Sequence, residues 1–332
     1  MKRDIYDALC VWKSESDRRP LLIRGARQTG KTYLINEFGK REYRSLVTLN
    51  FERNPEYKDI FSSYDPNEII ERIELYTRKK IEPEETLLFF DEIQECPGAI
   101  TSLRYFYEEL PAIHIVAAGS LLEFTLSSEN IRMPVGRIQY MFLFPLSFAE
   151  FLSAIGETEL RTYVLQYKNL EFLPKNLHLK LIEYVRKYFI VGGMPAVVQE
   201  YVTTRKIFEC QKIQRSILDT YSDDFAKYAR KSKHFYLKKV FQAVPGMIGQ
   251  KFVYSQVDKE IKSRELKEAL ELLETAGVVH RIKQTSGAGL PLAAGVNETY
   301  FRVLFLDVGL LHAASGIYSD TAREKDLTAI FK

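Results

Sequence analysis

Gly25-Ala26-Arg27-Gln28-Thr29-Gly30-Lys31-Thr32 fits the pattern GxxxxGK[ST] at every defined position. A short apolar run, Leu21–Ile23, precedes it, and a helical pattern, Tyr33–Phe38, follows. Strand, loop and helix in that order make an anion cradle. Glycines let backbone N–H groups close on phosphate oxygens. The start of the helix adds free N–H groups and its dipole. Lys31 suits the β- and γ-phosphates, and the Thr32 hydroxyl suits Mg²⁺. The expected ligand set is Gly25, Ala26, Arg27, Gln28, Thr29, Gly30, Lys31, Thr32 and the adjoining Tyr33, with ATP as nucleotide and Mg²⁺ as its metal. Arg27 fits phosphate contact and solvent exposure equally.

Working outward, apolar runs alternate with helical patterns over the first 150 residues. Leu46–Phe51, Leu87–Phe90, Ile113–Ala118 and Gln139–Leu143 follow as strands, with helices at Asn67–Lys80 and Ile100–Glu109. Strands separated by helices predict an α/β fold: a P-loop NTPase parallel sheet with helices on both faces. The third strand ends in Asp91 and Glu92, which places both carboxylates in the crevice where such sheets bind ligands. Asp91 is the expected metal-side residue, and Glu92 the base that takes a proton from attacking water. The added strand Leu46–Phe51 and the glutamate after the aspartate point to the P-loop branch with an extra catalytic glutamate. Ser120, after strand four, is placed to orient water or sense the γ-phosphate; a turn residue is the competing reading. Arg132 and Arg137 precede the fifth strand, and an arginine at the γ-phosphate, often supplied in trans, promotes phosphoryl transfer.

From Pro145 the texture is helical: Phe148–Ile155, Glu159–Leu170, Leu177–Val191 and Ile207–Arg230. After Phe241, two helices (Ser255–Ile261, Ser263–Ala276) and two β-like runs (Val278–Lys283, Tyr300–Leu306) give a winged-helix pattern. Net charge is +3 but uneven: 26 Lys/Arg against 29 Asp/Glu up to Val202, then 21 against 15. The basic second part favours a polyanionic or protein partner. The basic run Lys227, Arg230, Lys231, Lys233, Lys238 and Lys239 is its best candidate for phosphate contact. Glu265, Glu268, Glu271 and Glu274, on the second helix of the pair, argue for protein contact there instead. Three cysteines without a CxxC pair fit a reducing compartment, and no apolar run spans a bilayer, so a cytoplasmic chain without membrane association is expected.

The loop, Phe89–Gln94, Ala117–Ser120, Val135–Arg137, Phe144–Phe151 and Gly192–Pro195 together resemble one prokaryotic group of AAA-type ATPases. The resemblance runs from Lys13 to Lys332. It implies an ATPase domain (1–150), a helical lid (151–240), a winged helix (241–316) and a C-terminal domain of unknown function with a restriction-endonuclease-like fold. It also implies that Lys31 and Thr32 meet phosphate and Mg²⁺, that Asp91 and Glu92 are the acidic pair, that Ser120 is the polar sensor and that Arg137 is the group's Gly-Arg arginine. Pro195, in a segment that resembles the lid motif packing near adenine in related ATPases, reads by itself as part of a loop between helices. The chain stops about where the nuclease-like domain would begin, so 317–332 is expected to open a truncated region and no nuclease activity is assigned. The expected function is an ATPase acting as a switch or motor, with homo-oligomer, DNA or protein as partner. An ATP-dependent DNA-binding switch with little turnover is the alternative. A small-molecule kinase is disfavoured by Glu92 and by the lack of an acceptor lid.

Overall fold

The computed structural model describes residues 1–119, 134, 136–167, 174–228, 231–287 and 289–316. The chain divides into two compact units, Lys2–Phe144 and a second running on from Pro145.

The first unit is built on five parallel strands: β1 (Leu21–Arg24), β2 (Ser45–Asn50), β3 (Thr86–Asp91), β4 (His114–Ala118) and β5 (Gln139–Phe142). Their spatial order is β2-β3-β4-β1-β5. All four pairings are parallel. Helices α1 (Ile5–Ser14), α2 (Lys31–Glu42), α3 (Pro66–Thr77) and α4 (Pro97–Glu109) cover the sheet.

Alternate residues of each strand serve opposite faces. Leu21, Ile23, Leu87, Phe89, Val116 and Ala118 pack with Leu9 and Trp12 of α1 and Ile35 and Phe38 of α2. Leu22, Leu88, Phe90, Ile115 and Ala117 pack with Ile69 and Ile73 of α3 and Ile100, Leu103 and Phe106 of α4. Such two-sided burial requires the continuous apolar runs that the sequence displays. β4 lies between the strand that feeds the loop and the strand that ends in Asp91. The chain leaves β1, crosses to the far edge and walks back, so the ends of β1 and β4 flank a topological switch point.

The second unit holds α5 (Phe148–Ala154), α6 (Thr158–Gln166), α7 (Lys175–Val191), α8 (Pro195–Thr204), α9 (Ile207–Tyr228), α10 (Lys231–Ala243), α11 (Tyr254–Val257), α12 (Ser263–Thr275), an antiparallel pair β6 (Val279–Thr285) and β7 (Val296–Phe305), and α13 (Val308–Ala314). A capping box starts α5: Ser147 Oγ accepts from Glu150 N, and Glu150 Oε2 accepts from Ser147 N.

One local expectation changes, and one linking segment does more than expected. The helix read over Ser255–Ile261 is only the single turn α11. Asp258 is extended, and its Oδ1 accepts from Glu260 N at 2.9 Å, a side-chain turn that replaces further helix. The segment Gly192–Pro195 does link two helices, but it is also pinned. Asp307 Oδ2 accepts from Gly193 N at 2.6 Å, and Asp307 Oδ1 caps α13 through Leu310 N at 2.9 Å. A Cβ on Gly192 would collide with Asp307, and one on Gly193 with the Leu146 carbonyl.

Candidate nucleotide site

The loop leaves β1 through Gly25 (φ 153°) and enters α2 through Gly30 (φ 93°), backbone values that L side chains rarely adopt. A Cβ on Gly25 would also collide with the Leu143 carbonyl oxygen just past β5. Within this cradle Lys31 Nζ donates to Gly25 O (2.8 Å) and Ala26 O (2.9 Å). Burial pulls its ammonium down to about 8, with Glu92 and Asp91 opposing the shift and Arg27 adding to it. Thr29 is wholly buried, and its hydroxyl donates to Ala26 O at 2.9 Å.

Register brings the acids to the loop. Asn50, Asp91 and Ala118 stand abreast at the ends of β2, β3 and β4. Thr32 Oγ1 donates to the Asp91 carboxylate, 3.1 Å from Oδ1 and 3.2 Å from Oδ2. Asn50 Nδ2 donates to Asp91 Oδ2 at 2.9 Å. Burial pushes the Asp91 carboxyl upward, as does the charge of Glu92, while the bonds from Asn50 and Thr32 oppose the shift. A hydroxyl and a carboxylate meeting at one point are hard oxygen donors of the kind Mg²⁺ takes beside phosphate and water. Among the described residues no group of three or more His, Cys, Asp or Glu side chains could cage a metal. Thr32 and Asp91 alone leave room in such a shell for ligand oxygens. Glu92 follows in a left-handed conformation (φ 52°, ψ 48°), and its Oε2 accepts from Gln94 Nε2 at 2.6 Å.

Lys31, Thr32, Asp91 and Glu92 thus gather at the C-terminal rim of the sheet. Tyr33 is exposed on α2. Arg137 is elsewhere: it lies two residues before Gln139, which pairs with Leu21 at the opposite end of β1 from the loop. Its Nε donates to Glu108 Oε1 at 2.8 Å, and its guanidinium lies over the Tyr107 ring. Pro195 opens α8 in the second unit. Ser120, Arg132 and Val135 lie outside the described residues, as do the side chains of Lys227, Arg230, Lys231 and Lys233. Lys239 pairs with Asp258 at 3.1 Å. Two of the four glutamates considered on α12 meet Arg281 of β6: Glu274 is paired with it and Glu271 lies 3.8 Å away.

Three contributors escaped the sequence reading. Asn50 had a faint signal, a polar residue ending an apolar strand. Gln94 had only its place two residues after Glu92. Arg3 had none, yet it is buried, with Nη1 donating to Thr29 O (3.0 Å) and Nη2 to Phe144 O (2.5 Å).

Residues 17–152 match the family model described as an AAA domain. Residues 182–321 match a domain of unknown function (DUF8612). No curated protein matches the chain. The Walker-type ATPase PABY2304 of Pyrococcus abyssi is 14% identical, with a TM-score of 0.57 over 95% of each chain, a likeness of fold. The ORC2 protein of Aeropyrum pernix (14% identical, TM-score 0.43, 99% of this chain and 95% of that one) and RuvB of Thermotoga maritima (15%, 0.40, 85% and 90%) are looser likenesses that support no further conclusion. The fold is that of a P-loop NTPase, a parallel sheet flanked by helices and followed by a largely helical region. More narrowly, residues 17–152 are similar to the AAA domain family.

Proposed function

We propose that this chain binds ATP in the loop Gly25–Thr32 and hydrolyses it to ADP and phosphate, using the nucleotide state as a switch or motor for a partner. The observation that carries this reading is the meeting of Lys31, Thr32, Asp91 and Glu92 at one rim of the sheet. In the reaction, Lys31 leaves the Gly25 and Ala26 carbonyls for the β- and γ-phosphate oxygens, and backbone N–H groups of the loop hold the remaining charge. Glu92 accepts a proton from the water that attacks the γ-phosphorus. When bound, Mg²⁺ supplies charge neutralisation at the phosphate oxygens, with Thr32 and Asp91 as the residues that would hold it. Ser120 is assigned as γ-phosphate sensor, Arg137 as an arginine given in trans to a second copy, and Pro195 as the lid residue near adenine. Tyr33 and Arg27 flank the nucleotide. The second part of the chain is assigned as a lid (151–240) and a winged helix (241–316). Its excess of basic residues supports DNA or an acidic protein face as partner.

The deciding experiment measures phosphate release and ATP affinity for wild type and Glu92→Gln. The variant is expected to bind ATP normally and turn over ~10²–10⁴-fold more slowly, the share of a general base. Equal turnover removes Glu92 from the chemistry. Undetectable nucleotide binding by wild type removes the function. The alternative, a DNA-binding switch with little turnover, is favoured by the same charge excess; it predicts ATP-dependent DNA affinity without DNA-stimulated phosphate release.

A further inference from the structure

Gln94 is buried, with 3% of its surface exposed, although it lies on the short 3₁₀ turn Ile93–Glu95 beside the site. Its amide is fully committed in orientation. Nε2 donates to Glu92 Oε2 at 2.6 Å. The carboxylate accepts only, so the NH₂ end faces Glu92 and Oε1 is turned the other way. Oε1 lies against Gly119, the residue after β4, and is buried without a hydrogen-bond donor among the described residues. A Cβ on Gly119 would collide with Oε1, whereas the next atom from another residue, Ile93 Cγ2, is at an ordinary 3.5 Å. Glu92 itself is held in a left-handed conformation that a non-glycine residue adopts only at a cost. A strained backbone, a short charge-assisted bond and a glycine-shaped clearance therefore converge on one carboxylate.

We propose that Gln94 is a positioning residue for Glu92, and that Gly119 is glycine in order to seat the Gln94 amide. This deepens the hydrolytic reading above and rests on it. Gln94 occupies Oε2 of Glu92 and leaves Oε1 to take the proton from water. The amide is packed between the base that follows β3 and Gly119, which follows β4. Gln94 touches neither substrate nor metal in this scheme. A shift of the base by about 1 Å is enough to lose ~10²-fold in rate.

The test is a double-mutant cycle on the full chain, with turnover, ATP affinity and melting temperature measured for each variant. Gln94→Met keeps the volume and deletes the donor; it is expected to lower kcat by about 10–10²-fold with ATP affinity within about 2-fold of wild type. Gly119→Ala, which pushes the amide aside, is expected to do the same. In a Gln94→Ala background, Gly119→Ala is expected to add no further loss, because the atom it strikes is gone. Wild-type kcat in Gln94→Met, or additive losses in the cycle, would overturn the proposal. If Gln94→Met fails to fold, the Gly119→Ala arms decide alone. Glu92→Gln run alongside separates the two claims: full turnover in that variant sinks the hydrolytic reading, whereas loss there with normal Gln94→Met sinks only the role of Gln94.

Discussion

At the scale of single residues, the telling feature is a lysine that the fold makes uncomfortable. Lys31 is 7% exposed, and burial holds its ammonium near 8 against an ordinary 10.5. The sign follows. A lysine depressed in the folded state binds fewer protons there than in the unfolded chain between pH 8 and 10.5. Its contribution to stability therefore rises with pH through that window. Phosphate reverses the preference, because a polyanion favours the charged amine. ATP binding above pH 8 is thus expected to take up a proton. Calorimetry at pH 8.5 in buffers of different ionisation enthalpy would detect it; identical heats in all buffers would contradict it. Lys31→Met is expected to lose ATP affinity while melting no lower than wild type.

At the scale of elements, β4 shows what burial on both sides imposes. His114 opens this strand at 3% exposure. Its Nδ1 and the Tyr43 hydroxyl share a hydrogen bond at 2.7 Å, Trp12 packs edge-on, and Nε2 has no partner among the described residues. Burial pulls the imidazole down to about 4, helped by the charges of Arg18 and Lys13. The folded state keeps it neutral where the unfolded chain protonates it, so stability falls as pH drops from about 6.5 to 4. A shift of that size is worth up to roughly 3 kcal/mol. His114→Phe is expected to flatten this part of the stability–pH curve in chemical denaturation; an unchanged slope would assign the acid sensitivity elsewhere. In the second unit the Asp307 carboxylate plays the comparable part. It accepts from Gly193 and caps α13, so Asp307→Ala leaves buried N–H groups unpaired and is expected to cost about 1–3 kcal/mol.

At the scale of the whole molecule, the position of Arg137 sets a constraint. β1 has four residues, about 13 Å at the usual rise, and Arg137 stands beyond one end while the loop leaves the other. On the proposed reading, an arginine so placed serves a triphosphate on a second copy rather than its own. Arg137→Ala is therefore expected to bind ATP with wild-type affinity, to lose most turnover, and to regain part of it when mixed with Lys31→Ala chains. The mixture pairs an intact loop with an intact arginine. No recovery at any ratio, or turnover independent of chain concentration, would make Arg137 a surface partner of Glu108 and nothing more.

What the sequence determined by itself was whatever short-range spacing encodes. The glycine–lysine–threonine loop, the apolar strand ending in Asp91-Glu92 and the alternation of strands with helices are local patterns, and the structure reproduces them. Strand order, by contrast, is set by which apolar faces find each other. Only the tertiary structure put β4 between β1 and β3, aligned Asn50 with Asp91, brought Arg3 to the carbonyl of Thr29 and moved Arg137 to the far rim. It alone turned Gly192-Gly193 from a plain link into a hydrogen-bond donor to Asp307, 114 residues away. Those contacts join residues far apart in the chain through hydrogen bonds and close packing, which leave no periodic trace in the sequence.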